Sequence, residues 1–215
     1  MQHLGLPAPS IALIEAPPHA KHALVDADSI PAGIHFGSEF PGDPSAVAVY
    51  DFIPARLLTS IENRHTFAGA FVFDMWVANA DLRQAIFYRN RGVGRTFNAL
   101  FIDSSHIFGG LDWSFAENKS RNMDFSHIAS DCIRDWKDLL PWLERIEQSD
   151  RHIVEKITSS VPKEWLAKTN VSDLNRINKQ LEYRGRILRE SVRKYIRLAP
   201  GKFPNWHELR PCPSI

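Results

Sequence analysis

Between Asn63 and Ala78, Phe67, Ala70, Phe71, Asp74 and Val77 recur at steps of three and four. That is the period of a helix, and both of its faces are apolar, which predicts a central, buried element. Past Asp81 the period changes. Gln84 to Arg89 and Phe97 to Ile102 are strand-like runs joined by Asn90-Arg91-Gly92-Val93-Gly94-Arg95. Two glycines in that connection predict a hairpin with a longer loop, and Gly92-Val93-Gly94 reads as its turn.

Upstream, Gly5-Leu6-Pro7 reads as a helix stop, and Ile11 to Ile14 as a short strand bounded by Pro17-Pro18. Residues 19 to 46 are rich in Pro, Gly, Asp and Ser and predict loop with short ordered pieces. Val47 to Phe52 predicts a strand closed by Pro54, and Ala55 to Glu62 a short helix. Residues 109 to 124 are irregular. From Ile128 the chain is helical: Trp136, Leu139, Leu140, Leu143 and Ile146 share a face, with Pro141 either kinking that helix or starting another. Ile153, Val154 and Ile157 open the next helix, and Pro162 a short third. The last helix starts near Asn170 or Ser172, both suited to an N-cap. Leu174, Ile177, Leu181, Leu188, Val192 and Tyr195 form its apolar face. The tail from Pro200 is expected to be an extended strap or disordered. The fold class is α+β and predominantly helical, with a few strands before and inside the helical body.

Composition removes several classes. At 44% apolar and 11% aromatic the 215-residue chain buries a core, which excludes extensive disorder. Its 26 basic residues offset 25 acidic ones, so no global charge points to nucleic acid. Cys132 and Cys212 build neither a disulfide framework nor a zinc site, and Cys132 reads as a core residue. His19 and His22 lack companions at metal spacing. The most apolar run, Phe67 to Val77, is broken by Asp74 and too short to span a bilayer. A cytoplasmic, reducing location is the expectation, with no membrane partner.

The candidate chemistry gathers between Asp74 and Asp103. Asp81 lies just before the first strand of the hairpin, and Asp103 immediately after the second. Paired strands lie about 5 Å apart, so the two carboxylates are expected to converge at the hairpin base. Close carboxylates repel unless a cation, lysine or arginine intervenes, and hard oxygen ligands suit Mg²⁺ carrying a phosphate. Protein-kinase-type phosphotransferases use this layout. The alternative is that Asp81 caps a turn and Asp103 ends a strand.

Asp74, Trp76, Asn79, Asp81, Arg83, Gln84 and Ala85 form an Asp-x-Trp-x-x-Asn-x-Asp-x-Arg-Gln-Ala stretch, followed by Phe101-Ile102-Asp103 and Phe108-Gly109. With Leu4-Gly5-Leu6-Pro7 and Gly33 to Ser38, it resembles the HipA-like kinase family over roughly residues 4 to 195. The resemblance implies the C-terminal lobe of a protein-kinase-like fold with a catalytic β-hairpin. It implies an ATP- and Mg²⁺-dependent transfer of phosphate to a protein Ser or Thr hydroxyl. Asp81 would be the catalytic Asp and Asp103 the principal metal ligand. Gln84 and Asn79 would be secondary ligands or loop organisers, and Arg83 would neutralise charge or pair with Asp81. His106 would orient a phosphate or the metal ligand, or serve as a structural histidine.

Three positions depart from the family pattern. Ile86 stands where such kinases carry a metal-binding Asn, Ser104-Ser105 follow Asp103 where many carry a glycine, and Lys21 is the only lysine before Lys119. By resemblance, then, residues 1–62 read as a remnant of the N-terminal lobe and hinge, 63–199 as the helical C-lobe, and 200–215 as a Pro-rich tail, with the ATP-clamping lobe missing. A pseudokinase-like binding module is the competing reading. Loss of that lobe would leave Leu6 to Ile14 and Ile34 to Phe40 uncovered, giving self-association or docking through residues 6–40. Arg186, Arg189, Arg193 and Arg197 form a stripe on the last helix. It reads as a solvated face, or as a surface for nucleic acid, a phosphorylated substrate or an acidic partner. Trp113, Trp136, Trp142 and Trp165 are expected to pack the helical body.

Overall fold

Helix α1 (Thr66–Val77) is buried along its whole length. A helix that is apolar all round has to be covered on every side. In the computed structural model, which describes residues 1–18, 31–115, 127–149, 151–163, 165–166 and 171–207, α2 (His127–Cys132), α3 (Trp136–Glu147) and α5 (Val171–Leu198) pack against it. Gly69 permits the closest approach: a Cβ there would stand 2.5 Å from the Trp142 ring and 2.7 Å from Leu6 Cδ2. Leu6 follows a 3₁₀ turn, Gln2–Leu4, that ends in left-handed Gly5. One core runs from Leu4 through α1 to Phe203.

Three antiparallel strands lie beside the helices in the order β3 (Val47–Tyr50), β4 (Gln84–Asn90), β5 (Asn98–Ile102). The β4–β5 hairpin pairs Gln84 with Ile102, so residues 81–83 and 103–105 flank its open end. Upstream, β1 (Ile11–Ala16) and β2 (Gly33–Ser38) form a separate antiparallel ribbon. Strand β2 falls in the stretch expected to be mostly loop. Two glycines in six residues dilute its strand signal, and pairing with β1 decides its conformation. Ile11, Leu13, Ile14, Phe36 and Phe40 are exposed on and beside this ribbon, whereas Leu6 is buried.

Other departures from the sequence pattern have local causes. Ala55–Ser60 is a 3₁₀ helix. Pro141 neither ends α3 nor starts another helix; it sits inside a helix opened by a reciprocal cap between Asp135 and Asp138. Residues 163, 165 and 166 form a turn, with Trp165 N–H bonded to the Pro162 carbonyl at 3.0 Å. The Trp165 indole N–H donates to the Ile34 carbonyl on β2 at 2.9 Å, so this tryptophan braces the ribbon rather than the helical body. The described part of the tail turns through Pro200–Lys202 and buries Phe203 against Phe71. Helix α4 (Arg151–Ser159) packs on α5. His19, Lys21, His22, Lys119, Asn170 and Cys212 lie outside the described residues.

The apolar face of α5 buries Ile177, Leu181, Leu188, Val192 and Ile196. Its arginine stripe is largely paired within the chain. Arg189 makes a bidentate pair with Glu147 at 2.5 and 2.7 Å, Arg186 meets Glu182 at 2.7 Å, and Arg193 pairs with Glu190. No helix among the described residues is long and apolar enough to cross a membrane.

Candidate functional site

The site is built where α1 stops. Ala78 adopts the left-handed conformation, φ 53°, and turns the chain away from the helix axis. Asn79 N–H closes onto the Asp74 carbonyl at 2.9 Å. Its side chain is buried and used at both ends. Nδ2 donates to Asp74 Oδ1 at 3.2 Å, and Oδ1 accepts the Asp81 N–H at 3.3 Å. Asn79 is therefore an organiser of the loop that presents Asp81.

Arg83 returns under the same helix end. Its Nε donates to both Asp74 carboxylate oxygens at 3.2 Å, and Nη2 reaches Oδ1 at 2.5 Å. The expected pairing of Arg83 with Asp81 is replaced by this one, because the fully buried Asp74 needs a cation more than the exposed Asp81 does. Burial pushes the Asp74 carboxyl above the ordinary carboxylate range, against the pull of Arg83 and Asn79. Through Nη1, Arg83 also donates to the carbonyls of Ile102 and Asp103 and to Ser104 Oγ, at 3.3, 2.7 and 3.1 Å. One side chain thus ties the Asp81 loop to the end of β5.

Asp103 ends that strand in the left-handed region, φ 53°, a conformation Asp tolerates better than most residues. Its Oδ1 accepts the Ser105 N–H at 3.0 Å and the Ser105 hydroxyl at 2.7 Å. Gln84 Nε2 donates to Oδ2 at 3.2 Å. A carboxylate only accepts, so Gln84 turns its amide nitrogen, not its oxygen, toward Asp103. Asp81 Oδ1 accepts the Leu82 N–H at 2.7 Å. Its Oδ2 lies 3.5 Å from His106 Nδ1, which is 3.0 Å from Ser105 Oγ. His106 and Ser105 therefore bridge the two aspartates at the open end of the hairpin. The Ala80 N–H bonds to the His106 carbonyl at 2.9 Å, and Phe108 and Gly109 bond to the Val77 and Ala78 carbonyls, seating the 104–109 turn on the end of α1.

The Ser105 hydrogen bonds hold the Asp103 carboxyl below the ordinary carboxylate range. This ionised form favours folding above the unfolded-state value of about 3.9, and that contribution is lost as pH falls through the depressed folded value. Ser105→Ala is expected to move the Asp103 carboxyl titration upward in a carbon-detected NMR pH series. An unchanged midpoint would mean that Ser105 does not set it.

A family model described as HipA-like kinase matches residues 1–192. The chain belongs to the HipA-like kinase family. No curated protein and no solved structure matches it. Against the HipA-like pattern, Ile86 lies half-buried on β4 opposite Leu100 and offers no metal donor. Among the described residues no three His, Cys, Asp or Glu side chains stand close enough to hold a metal ion by themselves. A cleft of about 700 Å³ between α3, α4 and α5 touches α1 only through Trp76 and includes neither Asp81 nor Asp103.

Sequence reasoning missed two contributors, Ser105 and Arg184. Ser105 stood out only as a departure from a glycine. Arg184 on α5 donates to the last carbonyls of α1, and nothing in its sequence context distinguishes it from the neighbouring stripe.

Proposed function

We propose that this HipA-like chain transfers the γ-phosphate of ATP to a Ser or Thr hydroxyl of a protein, with Mg²⁺. The observation that carries this reading is the pair Asp81 and Asp103, both exposed at one end of the hairpin and bridged by Ser105 and His106. The donor set fits Mg²⁺ in the way such sites are usually built, with one or two carboxylates and the remaining positions filled by water and phosphate oxygens. Asp103 would hold the ion: Ser105 keeps it ionised, and Oδ2, which accepts from Gln84, has a second lone pair for a cation. The ion, when bound, would offset charge on the phosphates. Asp81 would accept the proton of the substrate hydroxyl, and His106 would fix the Asp81 carboxylate through Oδ2. Arg83 would keep the two aspartates in register.

Mn²⁺ as a paramagnetic stand-in, added with ATP, is expected to broaden NMR resonances of Asp103 and its neighbours in the wild type. Asp103→Asn is expected to remove most of that effect. Resonances of residues 79–109 that stay sharp would count against the assignment. A second reading, a non-catalytic pseudokinase module, is favoured by Ile86 at the position of a second metal donor. Nucleotide binding with no phosphate transfer would select it.

A further inference from the structure

An α-helix leaves its last four carbonyls without intrahelical partners. At the end of α1 those carbonyls, of Met75, Trp76, Val77 and Ala78, are taken up by two other parts of the chain. The 104–109 turn supplies the Phe108 and Gly109 N–H groups to Val77 and Ala78. The other two, Met75 and Trp76, accept from one side chain on α5: Arg184 Nη2 reaches the Met75 carbonyl at 2.6 Å, and Nε the Trp76 carbonyl at 2.7 Å.

This is a cation placed at the negative end of a helix dipole, in a half-buried position. The contact is reciprocated: the Trp76 indole N–H donates to the Leu181 carbonyl of α5 at 2.9 Å, and a Cβ on Gly185 would stand 3.6 Å from that nitrogen. Arg184 and Trp76 thus fasten the last turn of α1 to the middle of α5. The residue that follows this turn, Ala78, is a non-glycine in the left-handed region, a strained conformation that persists only where its surroundings impose it. Asn79 and Asp81 come directly after it.

We infer that Arg184 is a positioning residue for the Asp81 loop: it fixes the final carbonyls of α1, and through them the left-handed turn from which Asn79 and Asp81 project. This inference rests on the kinase reading for its functional meaning, but its structural content can be tested without it. Arg184 meets α1 at the backbone carbonyls of Met75 and Trp76, so its action on the loop is through the backbone of α1.

The test is residue-resolved hydrogen exchange on the whole chain, comparing wild type, Arg184→Gln and Arg184→Lys, with a phosphate-transfer assay alongside. In Arg184→Gln the amides of Asn79, Ala80, Phe108 and Gly109 are expected to exchange about tenfold faster or more, as local opening of the loop becomes easier. The amides of Ala99 and Phe101, bonded elsewhere, and those of α3 are expected to keep their protection. Arg184→Lys, which retains the charge without the fork, is expected to lie between. If Arg184→Gln does not fold, Arg184→Lys decides by the same amides. Protection lost evenly across α3, β5 and the loop would overturn the inference, since Arg184 would then be a general stabiliser. Unchanged loop amides would overturn it as well. In the transfer assay, Arg184→Gln is expected to lower kcat with little change in the KM for ATP. A wild type without transfer activity would defeat the kinase reading while leaving the exchange result to decide the role of Arg184.

Discussion

Replacing Arg83 by leucine is expected to destabilise the protein by about 3–5 kcal/mol at neutral pH, the cost of leaving a buried charge without its partner. Asp74 is fully buried within α1, and Arg83 supplies the cation that faces its carboxylate. The loss should depend on pH. Burial already holds the Asp74 carboxyl above the usual range, with Arg83 pulling it down, so removing Arg83 raises it further. A group whose folded pKa is raised favours folding below its unfolded value, about 3.9, and loses that contribution as pH rises through the folded value. The penalty of Arg83→Leu relative to wild type should therefore be smallest near pH 4 and grow as pH rises toward neutrality. Urea unfolding of both proteins across that range would show it. A pH-independent difference would mean that the pair contributes through packing instead. The double variant Asp74→Leu/Arg83→Leu should recover part of the loss, since two apolar side chains leave no orphaned charge. Recovery should be incomplete, because Arg83 also serves Ile102, Asp103 and Ser104.

That pair marks where a sequence can and cannot be read. The apolar period of α1 made Asp74 conspicuous as the one charge in a buried row, but period says nothing about partners. Its partner lies nine residues on, brought back by a left-handed turn at Ala78, where nothing in an alanine announces such a conformation. The β4–β5 hairpin was legible because two short strand-like runs flank a loop that holds two glycines. Strand β2 was not, because Gly33 to Ser38 is short and owes its conformation to a neighbour some twenty residues upstream. The convergence of Asp81 and Asp103 at the hairpin base followed from strand geometry alone. The residues that bridge them, Ser105 and His106, depended on a turn after β5 that sits on α1, a tertiary contact. Arg184 illustrates the same limit: an arginine in a helix rich in arginines gains its meaning only from the helix end it meets.

Asp81→Asn is expected to reduce phosphate transfer by about 10²–10⁴-fold, the range over which a positioned general base contributes. The substitution is nearly isosteric and the side chain is exposed, so stability should change by no more than about 0.5 kcal/mol. Asparagine keeps an oxygen for the Leu82 N–H, and the loop that presents it is held by Asn79, Arg83 and the Ala80–His106 bond rather than by Asp81 itself. What the variant lacks is the acceptor for a proton. Affinity for ATP with Mg²⁺ should accordingly stay near the wild-type value, because Asp103 and not Asp81 is assigned to the ion. Transfer of labelled γ-phosphate to a Ser/Thr protein substrate, measured beside calorimetric titration of ATP·Mg²⁺, separates the two effects. Full activity in Asp81→Asn would remove Asp81 from the chemistry. A joint loss of nucleotide binding would move it into the metal site with Asp103. Intact binding without transfer in the wild type itself would make the chain a pseudokinase, with the Asp81–His106–Ser105–Asp103 arrangement kept for holding a nucleotide and not for turning it over.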